Sequence, residues 1–237
     1  MRVAVVSDIH GNLPALEAVL SEVDAEGVDT VVCTGDVLGG PLSADVFDRL
    51  SGLGAQVVRG NADRFVIEGT DEHGQDWDGE RARLGDARLA AVAAWPLTVE
   101  LEIDGLGRTL FFHAIPSADE PVFTRITPDE DVARLVGDVE ASLCVCGHTH
   151  VQFDRSLPTG LRIVNAGSVG LPYEGRRGAF WALLGPDVQL RNTEYDVEAA
   201  VAALRGAGAS GEDYWHHLLD PPDPDETTRF FESQRGA

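Results

Sequence analysis

Basic side chains are scarce in this chain of 237 residues: Lys and Arg together number 18 against 40 acids, for a formal net charge of −22. Affinity for long polyanions comes largely from cations set along the nucleic-acid backbone, so a surface for long DNA or RNA is not expected. The acidic excess reads as a solvated surface that favours solubility. Cysteine is rarer still. Cys33, Cys144 and Cys146 all fall in expected strands, and Cys144 and Cys146, two apart on one strand face, are badly placed for a disulfide and lack partners for a zinc site. They read as small core residues in a reducing compartment, with the cytoplasm as the expected location. No apolar run approaches the ~20 residues of a membrane span, and Met1 to Ser7 enters a strand with no basic leader, so neither membrane nor export is expected. The first strand is followed by neither a G-x-G-x-x-G fingerprint nor a P-loop, so dinucleotide binding is unsupported.

Present instead are histidines, acids and one asparagine placed just after apolar runs. Val3 to Ser7 leads to Asp8 and His10; Thr30 to Thr34 to Gly35 and Asp36; Ala55 to Arg59 to Gly60 and Asn61; Thr109 to Phe112 to His113; and Leu143 to Cys146 to Gly147, His148, Thr149 and His150. In an open α/β sheet, ligands bind beyond the carboxyl ends of the strands, so such residues converge although they are distant in sequence. In extended backbone the one-residue spacing of Asp8 and His10, and of His148 and His150, sends both side chains to one side. Imidazole, carboxylate and amide oxygen together suit borderline divalent metals. Seven candidates, Asp8, His10, Asp36, Asn61, His113, His148 and His150, exceed the need of one tetrahedral ion and fit two ions sharing a carboxylate.

The order Asp-x-His, Gly-Asp, Gly-Asn, His, Gly-His-x-His resembles the calcineurin-like metallophosphoesterase superfamily. Ser7 to Pro14, Thr34 to Val37, Arg59 to Asp63, Cys146 to His150 and Asn165 to Gly170 are similar to its small bacterial and archaeal phosphodiesterase branch, over roughly residues 1 to 195. The resemblance implies that Asp8, His10 and His150 hold a first metal, that Asn61, His113 and His148 hold a second, and that Asp36 bridges them. Asp36, Asn61 and His148 are the candidate catalytic residues. Two divalent metals, Mn, Fe, Zn, Co or Ni, are the expected cofactors. A metal-activated hydroxide attacking phosphorus is the expected nucleophile.

The chain departs from the pattern at Ala62, where many members carry a histidine after Gly-Asn that serves the leaving or non-bridging oxygen. Asp63 and Arg64 are the neighbouring candidates for that role. After His113 the chain reads Ala114, Ile115, Pro116, Ser117, where related chains often have glycine. Asn12 and Arg59 adjoin the ligand loops and are the substrate-binding candidates, with helix capping and a surface salt bridge as their competing roles. His73, His216 and His217 are expected at the solvent-exposed surface.

The expected fold is α/β (α+β), a two-sheet β-sandwich flanked by helices. A βαβαβ opening uses helices at Leu13 to Glu26 and Leu42 to Leu53. A domain over 1–207 carries a helical, cap-like insertion at about 64–96, which either shapes access to the metals or is a simple crossover. Strands at Thr98 to Ile103 and Arg108 to His113 form a hairpin. Strands near Leu143 to Cys146, Val151 to Ser156, Arg162 to Asn165, Phe180 to Leu184 and Val188 to Tyr195 are assigned to a second sheet, followed by a helix from Val197 to Arg205. Residues 208–237 read as a linker and tail, whose Trp215, Phe230 and Phe231 suggest docking, a homo-oligomer included. The expected function is a two-metal phosphoesterase, a phosphodiesterase by preference, acting on a small phosphodiester or nucleotide. Alternatives are a nucleotidase, dinucleoside polyphosphate hydrolase or protein phosphatase on the same scaffold, or a metal-binding interaction protein with little catalysis.

Overall fold

The computed structural model describes residues 1–71, 77–207 and 212–235. His73 lies outside the described residues. In chain order the elements are β1 (Val3–Val6), α1 (Leu13–Glu26), β2 (Thr30–Cys33), α2 (Ser43–Leu53), β3 (Gln56–Val57), α3 (Asn61–Glu68), α4 (Asp78–Ala93), β4 (Thr98–Ile103), β5 (Gly107–Phe112), α5 (Asp129–Val136), β6 (Leu143–Cys146), β7 (Phe153–Ser156), β8 (Arg162–Asn165), β9 (Ala179–Leu184), β10 (Val188–Thr193), α6 (Val197–Gly206), α7 (Glu212–Leu219) and α8 (Pro224–Gln234). Two five-stranded sheets run in the orders β10-β9-β1-β2-β3 and β4-β5-β6-β8-β7.

Strand alternation assigns the layers. On β1, Val3 and Val5 pack with Phe111, Val145, Val164, Ala182 and Leu184 between the sheets, while Ala4 and Val6 face a cluster that includes Leu16, Val19 and Leu20 of α1. All four β1 residues are fully buried, as a central strand covered on both faces requires. The second sheet repeats the pattern: Leu143 and Val145 point inward, and Cys144 and Cys146 join Phe112, Val132, Val136 and Ile163 on the outer side. Among the described residues the three cysteines are buried and free, and burial pushes the Cys144 thiol up to about 12.

The double sheet flanked by helices agrees with the sequence reading, but the strand assignment needs one correction. β9 and β10 belong to the first sheet, where β9 pairs antiparallel with β1 through Ala4 and Leu183. β1 has two edges and β2 occupies one; the other accepts β9, whose Ala182 and Leu184 complete the inter-sheet core. The second sheet is completed by the β4–β5 hairpin, with β5 parallel to β6. Helix α5 is an element that the sequence analysis does not predict. It carries Asp129, Glu130 and Asp131 in its first turn, where the helix dipole favours acids.

Segment 208–237, expected as linker and tail, contains α7 and α8 in its described part. Asp223 caps α8 by accepting from the N–H groups of Asp225 and Glu226, with Pro224 in its first turn, so Pro224, one of the three prolines that suggest a linker, starts a helix. Trp215 of α7 is buried with Val197, Val201 and Leu204 of α6. Among the described residues, no helix is long and apolar enough to cross a membrane.

Candidate metal centre

The loops after β1 and β2 are laced together by backbone hydrogen bonds: Asp8 N–H to Gly35 O at 2.9 Å, Ile9 N–H to Asp36 O at 2.8 Å and Gly11 N–H to Val37 O at 3.1 Å. On the other side of the first loop, Val169 N–H donates to Ser7 O at 2.9 Å and Gly170 N–H to Asp8 O at 3.0 Å. The Ser168 hydroxyl also donates to Asp8 O at 2.7 Å. The Asn165 to Gly170 segment therefore clamps the first ligand loop. A methyl group on Gly60 would overlap the Asp36 carboxylate, and one on Gly147 would overlap Ser7 and Asp8, so both loop approaches require glycine.

Asp8, His10, Asp36, His148 and His150 have φ of 52°, 46°, 52°, 72° and 57°, and they are the only non-glycine residues with positive φ among those described. Each such residue costs of order 1–3 kcal/mol, and strain of this kind gathers at functional sites. All five are among the ligand candidates.

One ligand atom from each of Asp8, His10, Asp36 and His150 falls within 4.8 Å of the others. His150 Nε2 is 3.2 Å from Asp8 Oδ1 and 3.2 Å from His10 Nε2. Asp36 Oδ2 lies between two imidazoles, 3.6 Å from His10 Nε2 and 3.5 Å from His113 Nε2. From His113 the cluster continues to Asn61 Oδ1 at 2.9 Å and to the His148 ring at 4.9 Å between centroids. All seven candidates are thus brought together, with Asp36 at the junction.

Backbone carbonyls orient three of the rings. His113 Nδ1 faces Thr34 O at 2.8 Å, His150 Nδ1 faces Leu171 O at 2.6 Å and His148 Nε2 faces Glu120 O at 3.0 Å. In His113 and His150 the opposite nitrogen, Nε2, faces cluster atoms, so a ring N–H donated to the carbonyl leaves its lone pair toward the cluster, as metal-ligating histidines require. Burial alone would raise the Asp8 carboxyl, but His150, His113 and His10 hold it well below its usual range. Burial, reinforced by His113, pushes His148 down to about 4. Burial opposes protonation of His113 as well, yet Asp36 and Asp8 raise it. Imidazole nitrogens and carboxylate oxygens set this densely are the donor chemistry that two divalent cations fit.

Asp63 is a contributor that sequence reasoning cast differently. It is fully buried and accepts the N–H groups of Asp36 at 3.0 Å, Leu38 at 3.0 Å and Gly60 at 2.9 Å. Burial and the Asp36 carboxylate push its carboxyl up to about 7, against the Gly60 and Leu38 donors and His113. Its oxygens are committed to the loops and do not replace the histidine missing at Ala62. Arg64 is committed too, 3.1 Å from Asp119 and 2.7 Å from Glu120. Ala62 contributes its backbone N–H, which donates to Asp36 Oδ1 at 2.8 Å.

Neither substrate-binding candidate joins the cluster. Asn12 is buried, caps α1 by accepting from Ala15 N–H at 3.2 Å, and donates to Gly170 O at 3.0 Å. Arg59 has its Nε 3.7 Å from Asp119. The competing roles, a cap and an ion pair, describe both residues because loop carbonyls and Asp119 are closer partners than the cluster.

The C-terminal helices also reach the site. The Tyr214 hydroxyl donates to His10 O at 3.1 Å. Tyr173 stacks on His150 at 4.7 Å, and His217 meets Tyr173 edge-on at 5.6 Å. His216 is exposed as expected, whereas His217 is half-buried. No sequence spacing marks Tyr214 or His217, since their proximity depends on how α7 docks, whereas Tyr173 arrives with the loop after Gly170, its N–H donating to His150 O at 3.2 Å.

The double sheet with an Asp and His cluster at its strand ends is a metallophosphoesterase architecture. A metallophosphoesterase from Sphaerobacter thermophilus superimposes with a TM-score of 0.74 at 27% identity, covering 93% of this chain and 98% of that one. A hypothetical protein from Pyrococcus horikoshii shares the fold, with a TM-score of 0.76 at 20% identity over 94% of this chain and 99% of its own. In sequence, the chain is 28% identical over 226 residues to an uncharacterized protein of Methanocaldococcus jannaschii, covering 84% of this chain and 89% of that protein. The model of the calcineurin-like phosphoesterase superfamily domain matches residues 1–184, and the chain belongs to that superfamily. Its members hydrolyse phosphoric esters at a binuclear divalent metal site.

Proposed function

We propose that this chain is a two-metal phosphodiesterase acting on a small phosphodiester. Asp8, His10 and His150 would hold one metal and Asn61, His113 and His148 the other, with Asp36 shared. Bound metals supply Lewis-acid polarisation of the phosphoryl group and lower the pKa of water toward neutrality. The protein's part is to fix these donors, Asp36 through the N–H of Ala62 and the support of Asp63, and the His113, His148 and His150 imidazoles through their carbonyl partners.

One observation favours diesters over monoesters: the described arginines around the cleft that opens on Asn61 and His148 are all paired with acids. Arg59 lies by Asp119, Arg64 by Asp119 and Glu120, Arg134 by Asp131, and Arg235 by Asp131 and Glu232. Glu120 and Glu232 themselves line the cleft. A monoester dianion needs cationic compensation beyond the metals, whereas a singly charged diester needs less. Manganese is the first metal to try, and three free buried cysteines are consistent with a reducing cytoplasm.

The test uses bis(p-nitrophenyl) phosphate and p-nitrophenyl phosphate with protein stripped of metal and reloaded with Mn²⁺, beside Asp36→Ala. Higher kcat/KM on the diester, restored by metal and absent in the variant, is expected. Faster monoester hydrolysis would move the reading to a nucleotidase or phosphatase. Metal binding with no turnover would favour an interaction protein.

A further inference from the structure

The family match ends at residue 184, but the cleft at the metal centre is built partly from residues beyond it. This cleft of about 1200 Å³ is lined by Asn61, His148, Phe65 and Val122 and, from α8, by Phe230 and Phe231. That volume accommodates more than a phosphate. Phe230 is 60% exposed, the highest exposure of any large apolar side chain among the described residues. Its ring meets Phe231 edge to face at 5.8 Å, Phe231 lies 6.4 Å from the His148 ring, and His148 lies 4.9 Å from His113. A file of rings therefore runs from solvent to the donor cluster.

The helix that presents these rings is firmly attached. Glu232 accepts from the Thr124 hydroxyl at 2.6 Å and also from Thr127. Arg235 is 2.9 Å from Asp131, and Asp225 pairs with Arg125. An aromatic face held this way loses little conformational entropy when a planar group stacks on it. Among the described residues the arginines lining the cleft, Arg134 and Arg235, are paired with acids, so a second phosphate or a carboxylate on the substrate meets no unpaired cation there. An uncharged planar ring suits the surroundings.

We propose that Phe230 and Phe231 form a ring-binding subsite, selecting phosphodiesters in which one ester arm is a nucleoside. The assignment rests on the two-metal reading, which places the phosphate beside Asn61 and His148. Specificity then comes from the C-terminal helix, and the superfamily domain supplies the phosphate chemistry.

The test is calorimetric titration of the full chain loaded with Mn²⁺, using methyl phosphate and thymidine 5′-monophosphate, which differ in the group attached to the phosphate. Base–aromatic stacking predicts that the nucleotide binds about tenfold tighter or more. Phe230→Ala and Phe231→Leu should each reduce that ratio to about threefold or less, and Phe230→Tyr, which keeps a ring, should preserve it. Phe230 is exposed and leucine keeps apolar volume at 231, so both variants are compatible with the fold. Equal affinities in the unaltered protein, or a ratio indifferent to both substitutions, would overturn the subsite while leaving the metal centre standing. Failure of Mn²⁺ itself to bind the chain in the same calorimeter would remove the two-metal reading and the subsite together.

Discussion

The buried carboxylate of Asp63 accepts the backbone N–H of Asp36 at 3.0 Å, so one acid, itself outside the ligand set, fixes the residue at the junction of the cluster. The same carboxylate holds Leu38 and Gly60. Asp63→Asn turns an amide N–H₂ toward at least one of these donors. The expected cost is roughly 1–3 kcal/mol, a fall in melting temperature of about 3–10 °C for a chain of this size. Mn²⁺ affinity should weaken as well, because Asp36 and Asn61 lose their common support. Thermal denaturation and metal titration of the variant check both effects, and an unchanged melting temperature would contradict the role assigned to Asp63.

Five ligand candidates sit at positive φ, and cation binding offsets that cost only in the folded state. Stripping the metals should therefore lower the melting temperature. Reloading to about a hundred times the dissociation constant stabilises by about 2.7 kcal/mol, or roughly 5–10 °C. Asp36→Ala should show little of this shift. A melting curve indifferent to Mn²⁺ in the unaltered protein would argue against the site.

Ala62 provides no side-chain proton donor near the departing oxygen, and Asp63 and Arg64 are committed elsewhere. Rates should therefore depend steeply on the leaving group. A general acid contributes about 10²–10⁴ with poor leaving groups, so diphenyl phosphate should be hydrolysed at least about a hundredfold more slowly than its bis(p-nitrophenyl) counterpart. Similar rates for the two, measured under single-turnover conditions, would indicate a donor from elsewhere in the structure.

Glu80 is buried and accepts from Gly39 N–H at 2.8 Å and from the Ser43 hydroxyl at 2.5 Å. Burial raises its pKa above the usual value of 4.5 despite those donors. In the folded state it therefore keeps its proton to higher pH than in the unfolded chain. Its contribution to stability is fully present below pH 4.5 and falls as the pH rises through the folded-state value. Glu80→Gln keeps the acceptor oxygen without the charge, so it should lessen this decline. Denaturant midpoints at pH 5 and pH 7 check it: the gap should narrow in the variant, and an unchanged gap would assign the pH dependence to other groups.

The ligand set was legible in the sequence because strand ends in an α/β fold share one edge. Asp8, Asp36, Asn61, His113 and His148 each follow a β-strand or its short exit loop, so chain order alone brings them together. Alternation along β1 and β6 likewise determined which residues face the inter-sheet core and which the outer clusters. Short-range rules do not say which free strand edge a late strand will join, and β9 went to β1 because that edge was open and Ala182 and Leu184 completed the core. They also do not reveal that Asn12 and Arg59 have closer partners than the cluster, or that Asp63 faces three backbone donors. The positive φ at five ligand residues, the docking of α7 and α8, and the aromatic wall at the cleft arise from contacts between segments far apart in sequence. Tertiary packing alone decided them.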